Sequence, residues 1–192
     1  MQRRAVVVAG PNGAGKTTFV LEYVNAHPLL YISADLIAEG MAPRAIDEVR
    51  VEAGRRFFRQ VTSQIEAGTS FVVESTLSGL TFQRILKALR EAEYRVLIVF
   101  VFLRNPELCI ARIQERVRKG GHGVDEADIR RRFSRSIKNF WHNYRHMADR
   151  WHLFYNGGAQ FHEVALGAGD SLEVRDEGLF DLFLGLAGEK SP

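Results

Sequence analysis

Chemistry in this chain starts at Gly10-Pro11-Asn12-Gly13-Ala14-Gly15-Lys16-Thr17, with Thr18 directly behind, a match to G-x-x-x-x-G-K-[ST]. The apolar run Ala5 to Ala9 precedes it and Phe19-Val20-Leu21 follows, so a strand, a glycine loop and a helix are expected in that order. Three glycines let successive backbone N–H groups turn inward into a concave anion site, and the helix adds the positive end of its dipole. Phosphate suits that geometry. Lys16 is expected to reach the β- and γ-phosphates as a point charge, and the Thr17 hydroxyl to enter the shell of a bridging Mg²⁺. The stretch reads as a P-loop.

A P-loop binds nucleotide without deciding the fate of the γ-phosphate, so the surrounding groups carry the decision. Asp35 and Glu74 each follow an expected strand end on the P-loop side of the sheet. Phosphoryl transfer to a hydroxyl needs a carboxylate that accepts or positions the acceptor's proton, and Asp35 fits that role. Glu74 can hold Mg²⁺ through water or grip the acceptor, with the Thr76 hydroxyl beside it. Arginines are the expected stabilisers of charge on the transferring group. Arg116 sits just before the glycine cluster Gly120-Gly121-His122-Gly123, a plausible hinge in which His122 reads as a structural part. On the helix expected after it, Arg130 and Arg132 flank the apolar face and can turn inward more easily than Arg131.

The elements that must position these groups follow from hydrophobic spacing. Ala5 to Ala9, Leu29 to Ser33, Phe71 to Val73, Val96 to Leu103 and His152 to Tyr155 read as five strands. Lys16 to Ala26 is a helix stopped by Pro28, and Ile46, Val49, Ala53, Phe57, Val61 and Ile65 mark a long one ended by Gly68. Phe82 to Leu89, Pro106 to Val117 and Asp125 to Asp149 complete the helices between strands; Asp35 is expected in a loop. Phe133, Phe140 and Tyr144 follow helical spacing and are assigned to the core, not to base stacking. Strands alternating with helices predict an α/β P-loop NTPase fold: a five-stranded, mostly parallel sheet flanked by helices, with a helical lid around 116–135 and a small C-terminal extension. Residues 1–192 are expected to form one domain.

Composition narrows the setting. A hydrophobic fraction of 46% with 26% charged residues is that of an ordinary globular protein. No apolar run approaches the ~20 residues that span a bilayer, so neither signal peptide nor membrane anchor is expected. Cys109, the sole cysteine, permits no intrachain disulfide, and a cytoplasmic location is expected. The net charge of +3 is concentrated between Arg112 and Lys138. Such a run suits a solvated helix face or a lid over polyphosphate. Leu77-Ser78-Gly79-Leu80 lacks the Gly-Gln that would make it a transporter-ATPase signature, and no Asn-Lys-x-Asp guanine element occurs.

With the P-loop, Asp35, Glu-x-Thr at 74–76 and the arginine segment together, the chain resembles the zeta toxin family of P-loop kinases. Two stretches are specific: the Gly10 to Thr18 loop, and Gly120 to Val124 followed by Ile129-Arg130-Arg131-Arg132-Phe133. The resemblance implies an adenylate-kinase-like sheet, ATP as donor, and phosphorylation of the sugar 3′-hydroxyl of a UDP-N-acetylhexosamine such as UDP-N-acetylglucosamine. It further implies Lys16 and Thr17 on the phosphates and metal, Asp35 as base, Glu74 and Thr76 at the acceptor, and Arg116 and Arg132 closing on ATP. An antitoxin that blocks the ATP site is also implied. Ser75 stands where the family usually has glycine, which bears on the acceptor more than on the donor. Other readings are a kinase for a nucleoside, a nucleic-acid 5′ end or another metabolite, and an ATP-binding switch that transfers nothing.

Overall fold

In the computed structural model, which describes residues 2–43 and 45–189, the first apolar run is a strand, β1 (Arg4–Ala9). Its alternation sends Ala5, Val7 and Ala9 to one face of a sheet and Val6 and Val8 to the other, and both faces are buried. The P-loop follows and opens α1 (Lys16–Ala26), which leads to β2 (Leu30–Ser33), α2 (Ala34–Met41) and α3 (Ile46–Glu66). Next come β3 (Phe71–Ser75), α4 (Gln83–Glu91), β4 (Arg95–Phe102), α5 (Pro106–Arg118) and α6 (Glu126–Asn139). The chain closes with β5 (Arg150–Tyr155), β6 (His162–Ala168), β7 (Ser171–Val174) and α7 (Glu177–Ala187).

One sheet takes the strands in the order β2-β3-β1-β4-β5-β6-β7. The first five pair in parallel as expected, and β6 and β7 continue the same sheet antiparallel, so the C-terminal extension is part of the sheet. β1 lies between β3 and β4, in register Val8 to Glu74 and Ala9 to Ser75, so Glu74 leaves its strand beside the start of the P-loop. This is the α/β P-loop architecture, kinase-like, with a mostly parallel sheet flanked by helices.

The two faces carry unequal layers. Val6, Val8, Val72, Val99 and Val101 meet Val20 of α1. The opposite face packs Phe57, Val61 and Ile65 of α3, Ile85, Leu86 and Leu89 of α4, and Cys109, Ile110 and Ile113 of α5. Burial raises the Cys109 thiol to about 12, which keeps it protonated. Phe183 of α7 is fully buried among the rings of Phe100, Phe102, Phe140 and Trp141. Among the described residues no helix is long and apolar enough to cross a membrane.

Two expectations need correction. Asp35 does not sit in a loop: it lies in the first turn of α2, the helix that starts directly at the end of β2. The single helix expected over 125–149 ends at Asn139 and continues as a π-helical turn, Phe140–Tyr144, and a 3₁₀ turn, Arg145–Met147. Adjacent Phe140 and Trp141 are both buried there. The wider turn lets Phe140 stack on Phe100 at 4.3 Å while Trp141 meets Phe180 and Phe183.

Because Phe183 ties α7 to the sheet and to this turn, Phe183→Ala is expected to cost about 3–5 kcal/mol. Urea unfolding followed by circular dichroism measures it.

Candidate functional site

Gly15 turns the P-loop into α1 with φ 101°, and a Cβ there would meet Asn156 Nδ2 at 2.2 Å. The position therefore requires glycine on two counts, left-handed backbone and close approach. Asn156, at the end of β5, donates from Nδ2 to the Ala14 carbonyl at 2.8 Å. Arg112 of α5 donates to the Asn156 carbonyl at 2.6 Å, so loop, β5 and α5 are tied together. The backbone turns of Gly10, Pro11 and Ala14 shape this loop, and Asn12, Gly13, Gly15, Lys16, Thr17 and Thr18 line a cavity of about 500 Å³. Arg112, Arg116 and Asn156 form its far side.

Beside the phosphate cradle lies a buried network. Lys16 Nζ donates to the Pro11 carbonyl at 3.0 Å and stands 3.7 Å from Glu74 Oε1, with both side chains under a tenth exposed. Glu74 Oε2 accepts from the Thr17 hydroxyl at 3.0 Å and from the Tyr31 hydroxyl at 2.6 Å. Burial, followed by the charge of Glu74, pushes the Tyr31 phenol far above its usual range, so Tyr31 is a permanent donor. Glu74 is thus held from β2, α1 and the P-loop at once.

A second cavity, of about 300 Å³, opens on the other side of Glu74. Phe57, Phe58 and Arg50 of α3 wall it, together with Thr76, Ser78 and Phe82. The loop after β3 is clamped by α6 and its π turn: Ser136 donates to the Thr76 carbonyl, Asn139 to Leu77 at 2.9 Å, and Tyr144 to Gly79. Leu77 takes φ 50°, a left-handed value that a branched side chain avoids. Its buried side chain and those three hydrogen bonds hold it there. Asn12, Lys16, Ser33, Asp35, Glu74 and His122 line both cavities, so the two meet at the P-loop's edge.

The arginines separate by position. Arg116 lines the first cavity and Arg132 the second, where Arg132 Nη2 is 3.1 Å from Asp128 Oδ2. Arg130 pairs with Glu107 at 2.5 Å and Arg131 with Asp128 at 2.6 Å, both on the outside. Of the three consecutive arginines, Arg132 turns inward.

A family model described as an AAA domain matches residues 6–135, well over half the chain. The chain belongs to that family. An uncharacterized protein of Haemophilus influenzae is 31% identical over 134 residues, 69% of this chain and 94% of that protein. Among solved structures, one from the PezAT chromosomal toxin-antitoxin system of Streptococcus pneumoniae aligns with TM-score 0.65 at 16% identity, over 96% of this chain and 79% of that one. AvrRxo1-ORF1:-ORF2 with ATP aligns with TM-score 0.71 at 16% identity, over 94% of this chain and 63% of that one. Identities this low carry the fold alone. An AAA domain with an intact P-loop implies ATP binding.

Sequence reasoning missed Tyr31, Arg112, Asn156 and Arg50 as lining residues of this AAA domain. Asn156 was within reach, since an Asn-Gly-Gly ending the fifth strand must fall on the P-loop edge of a parallel sheet. Arg112 falls within the basic segment, and Tyr31 and Arg50 carry no motif.

Asn156→Leu would leave the buried Ala14 carbonyl without its donor, and is expected to cost about 1–3 kcal/mol of unfolding free energy. It is also expected to weaken ATP binding, as titration with a fluorescent ATP analogue would report.

Proposed function

We propose that this chain is an ATP-dependent kinase that transfers the γ-phosphate to a hydroxyl of a small acceptor, with the 3′-hydroxyl of UDP-N-acetylglucosamine as the first candidate. One observation carries the reading: a phosphate cradle and a separate polar and aromatic cavity meet at Asp35. An ATP switch has no need of the second cavity, whereas a kinase needs a place for its acceptor next to the base.

In this reading ATP lies in the larger cavity, with its phosphates on the backbone of Gly10 to Thr18 and on Lys16. Thr17 and Glu74 supply oxygen donors suited to a hard cation, Glu74 acting directly or through water, and among the described residues no three His, Cys, Asp or Glu cluster to hold a metal without phosphate. Mg²⁺ would neutralise charge on the β- and γ-phosphates. Arg116 and Arg132 close from the segment 116–135, acting as a lid over the transferred group. Thr76 and Glu74 face the acceptor, and Asp35 takes the proton of its hydroxyl. A protein partner of antitoxin type belongs to the same reading, supported by the toxin-antitoxin description of one fold neighbour.

The test is transfer of label from γ-labelled ATP, with Mg²⁺, to UDP-N-acetylglucosamine. Wild type is expected to label the sugar nucleotide, Asp35→Asn to lose roughly 10²–10⁴-fold in rate while still binding ATP, and Lys16→Ala to lose ATP binding. Bound ATP with an unlabelled sugar would rule out this acceptor, and undiminished transfer by Asp35→Asn would rule out Asp35 as the base.

A further inference from the structure

His122 belongs to a hinge by sequence, yet its side chain stands between the two cavities. Its Nε2 lies 3.9 Å from Asp35 Oδ2, and the ring is about one fifth exposed while Asp35 is more than half exposed. Among the described residues no hydrogen bond holds the Asp35 carboxylate, and His122 is the one ionisable nitrogen within 4.0 Å of it. A base presented this openly samples many rotamers unless something outside its own helix orients it.

The loop that carries His122 is itself fixed. Asn105 caps the start of α5 by accepting from the Leu108 N–H at 3.0 Å, with Pro106 in the first turn. At the other end, the Gly121 N–H donates to the Arg116 carbonyl at 3.0 Å, and Arg116 Nε donates to the His122 carbonyl at 3.1 Å. A Cβ on Gly121 would meet Arg116 Cγ at 2.6 Å, so only glycine lets the arginine lie against the loop. Asp125 then starts α6 by accepting from the Ala127 N–H at 2.9 Å. Two capped helices and Arg116 therefore hold the segment that carries the imidazole.

We propose that His122 is a positioning residue for Asp35: Nε2–H closes on one carboxylate oxygen and turns the other toward the acceptor. This inference rests on the kinase reading. As the acceptor oxygen bonds to the γ-phosphorus, its proton passes to the free Asp35 oxygen, and the bond from that phosphorus to the β,γ-bridging oxygen breaks, releasing ADP. The separation seen here is longer than a hydrogen bond, as is common for catalytic contacts that tighten around bound reactants. Because Arg116 of α5 donates to the His122 carbonyl, the base is oriented only when the arginine is also in place.

The experiment is a double-mutant cycle on the full chain with His122→Ala, His122→Gln, Asp35→Asn and Asp35→Asn/His122→Ala. ATP affinity is measured alongside kcat for transfer from γ-labelled ATP to UDP-N-acetylglucosamine and to water. His122→Ala is expected to lower kcat roughly 10–100-fold with ATP affinity within about twofold. His122→Gln, whose amide nitrogen can stand where Nε2 stood, recovers to within about fivefold, and adding His122→Ala to Asp35→Asn changes kcat by less than about twofold. Additive losses, a glutamine no better than alanine, or a loss confined to ATP affinity would overturn the proposal. If the sugar nucleotide takes no label, that acceptor is wrong, and the same cycle is read on phosphate released to water, where additivity again overturns the role of His122. Turnover to neither acceptor overturns both the kinase reading and this one.

Discussion

The site depends on a buried cation and carboxylate held side by side. Lys16 and Glu74 are both almost wholly withdrawn from water, at 3.7 Å, and neither is tolerable there alone. Removing either partner would strand a charge in the interior, so Glu74 must leave β3 beside the P-loop. The parallel register of Val8 with Glu74 delivers that placement. Thr17 of α1 and Tyr31 of β2 then satisfy the remaining carboxylate oxygen. A buried pair of this kind contributes little net stability, and its value is geometric: it fixes Glu74 against the P-loop.

Around that pair the molecule divides its labour by rigidity. The nucleotide side is built on backbone, with glycine at Gly15 admitting Asn156 to the loop and Arg112 bracing Asn156. The second cavity is built on a strained loop, 76–79, whose carbonyls are held by Ser136, Asn139 and Tyr144. The π turn after α6 belongs to the same arrangement, because it sets Tyr144 inward while keeping Phe140 and Trp141 in the core. Packing in the core and shape at the second cavity are thus one problem solved by one helical segment.

Much of this was legible in the residues. The P-loop is a local motif whose backbone demands are met by nine consecutive positions, so its place between a strand and a helix needed no tertiary information. Strands buried on both faces read as unbroken apolar runs, and helices at their period of 3.6, which is why the alternating order and the five parallel strands could be read directly. Asp35 and Glu74 were legible because strand ends in a parallel sheet share one edge.

Sequence by itself determined the phosphate cradle, the α/β class and the carboxylates at the sheet's edge, since each follows from neighbours along the chain. Tertiary structure alone decided that Tyr31 holds Glu74, that Arg132 and not Arg130 turns inward, that the helix at Phe140 widens into a π turn, and that His122 stands 3.9 Å from Asp35. The reason is physical: these contacts join residues far apart in sequence, and no local spacing, charge or propensity encodes which distant side chain will fill the last few ångströms.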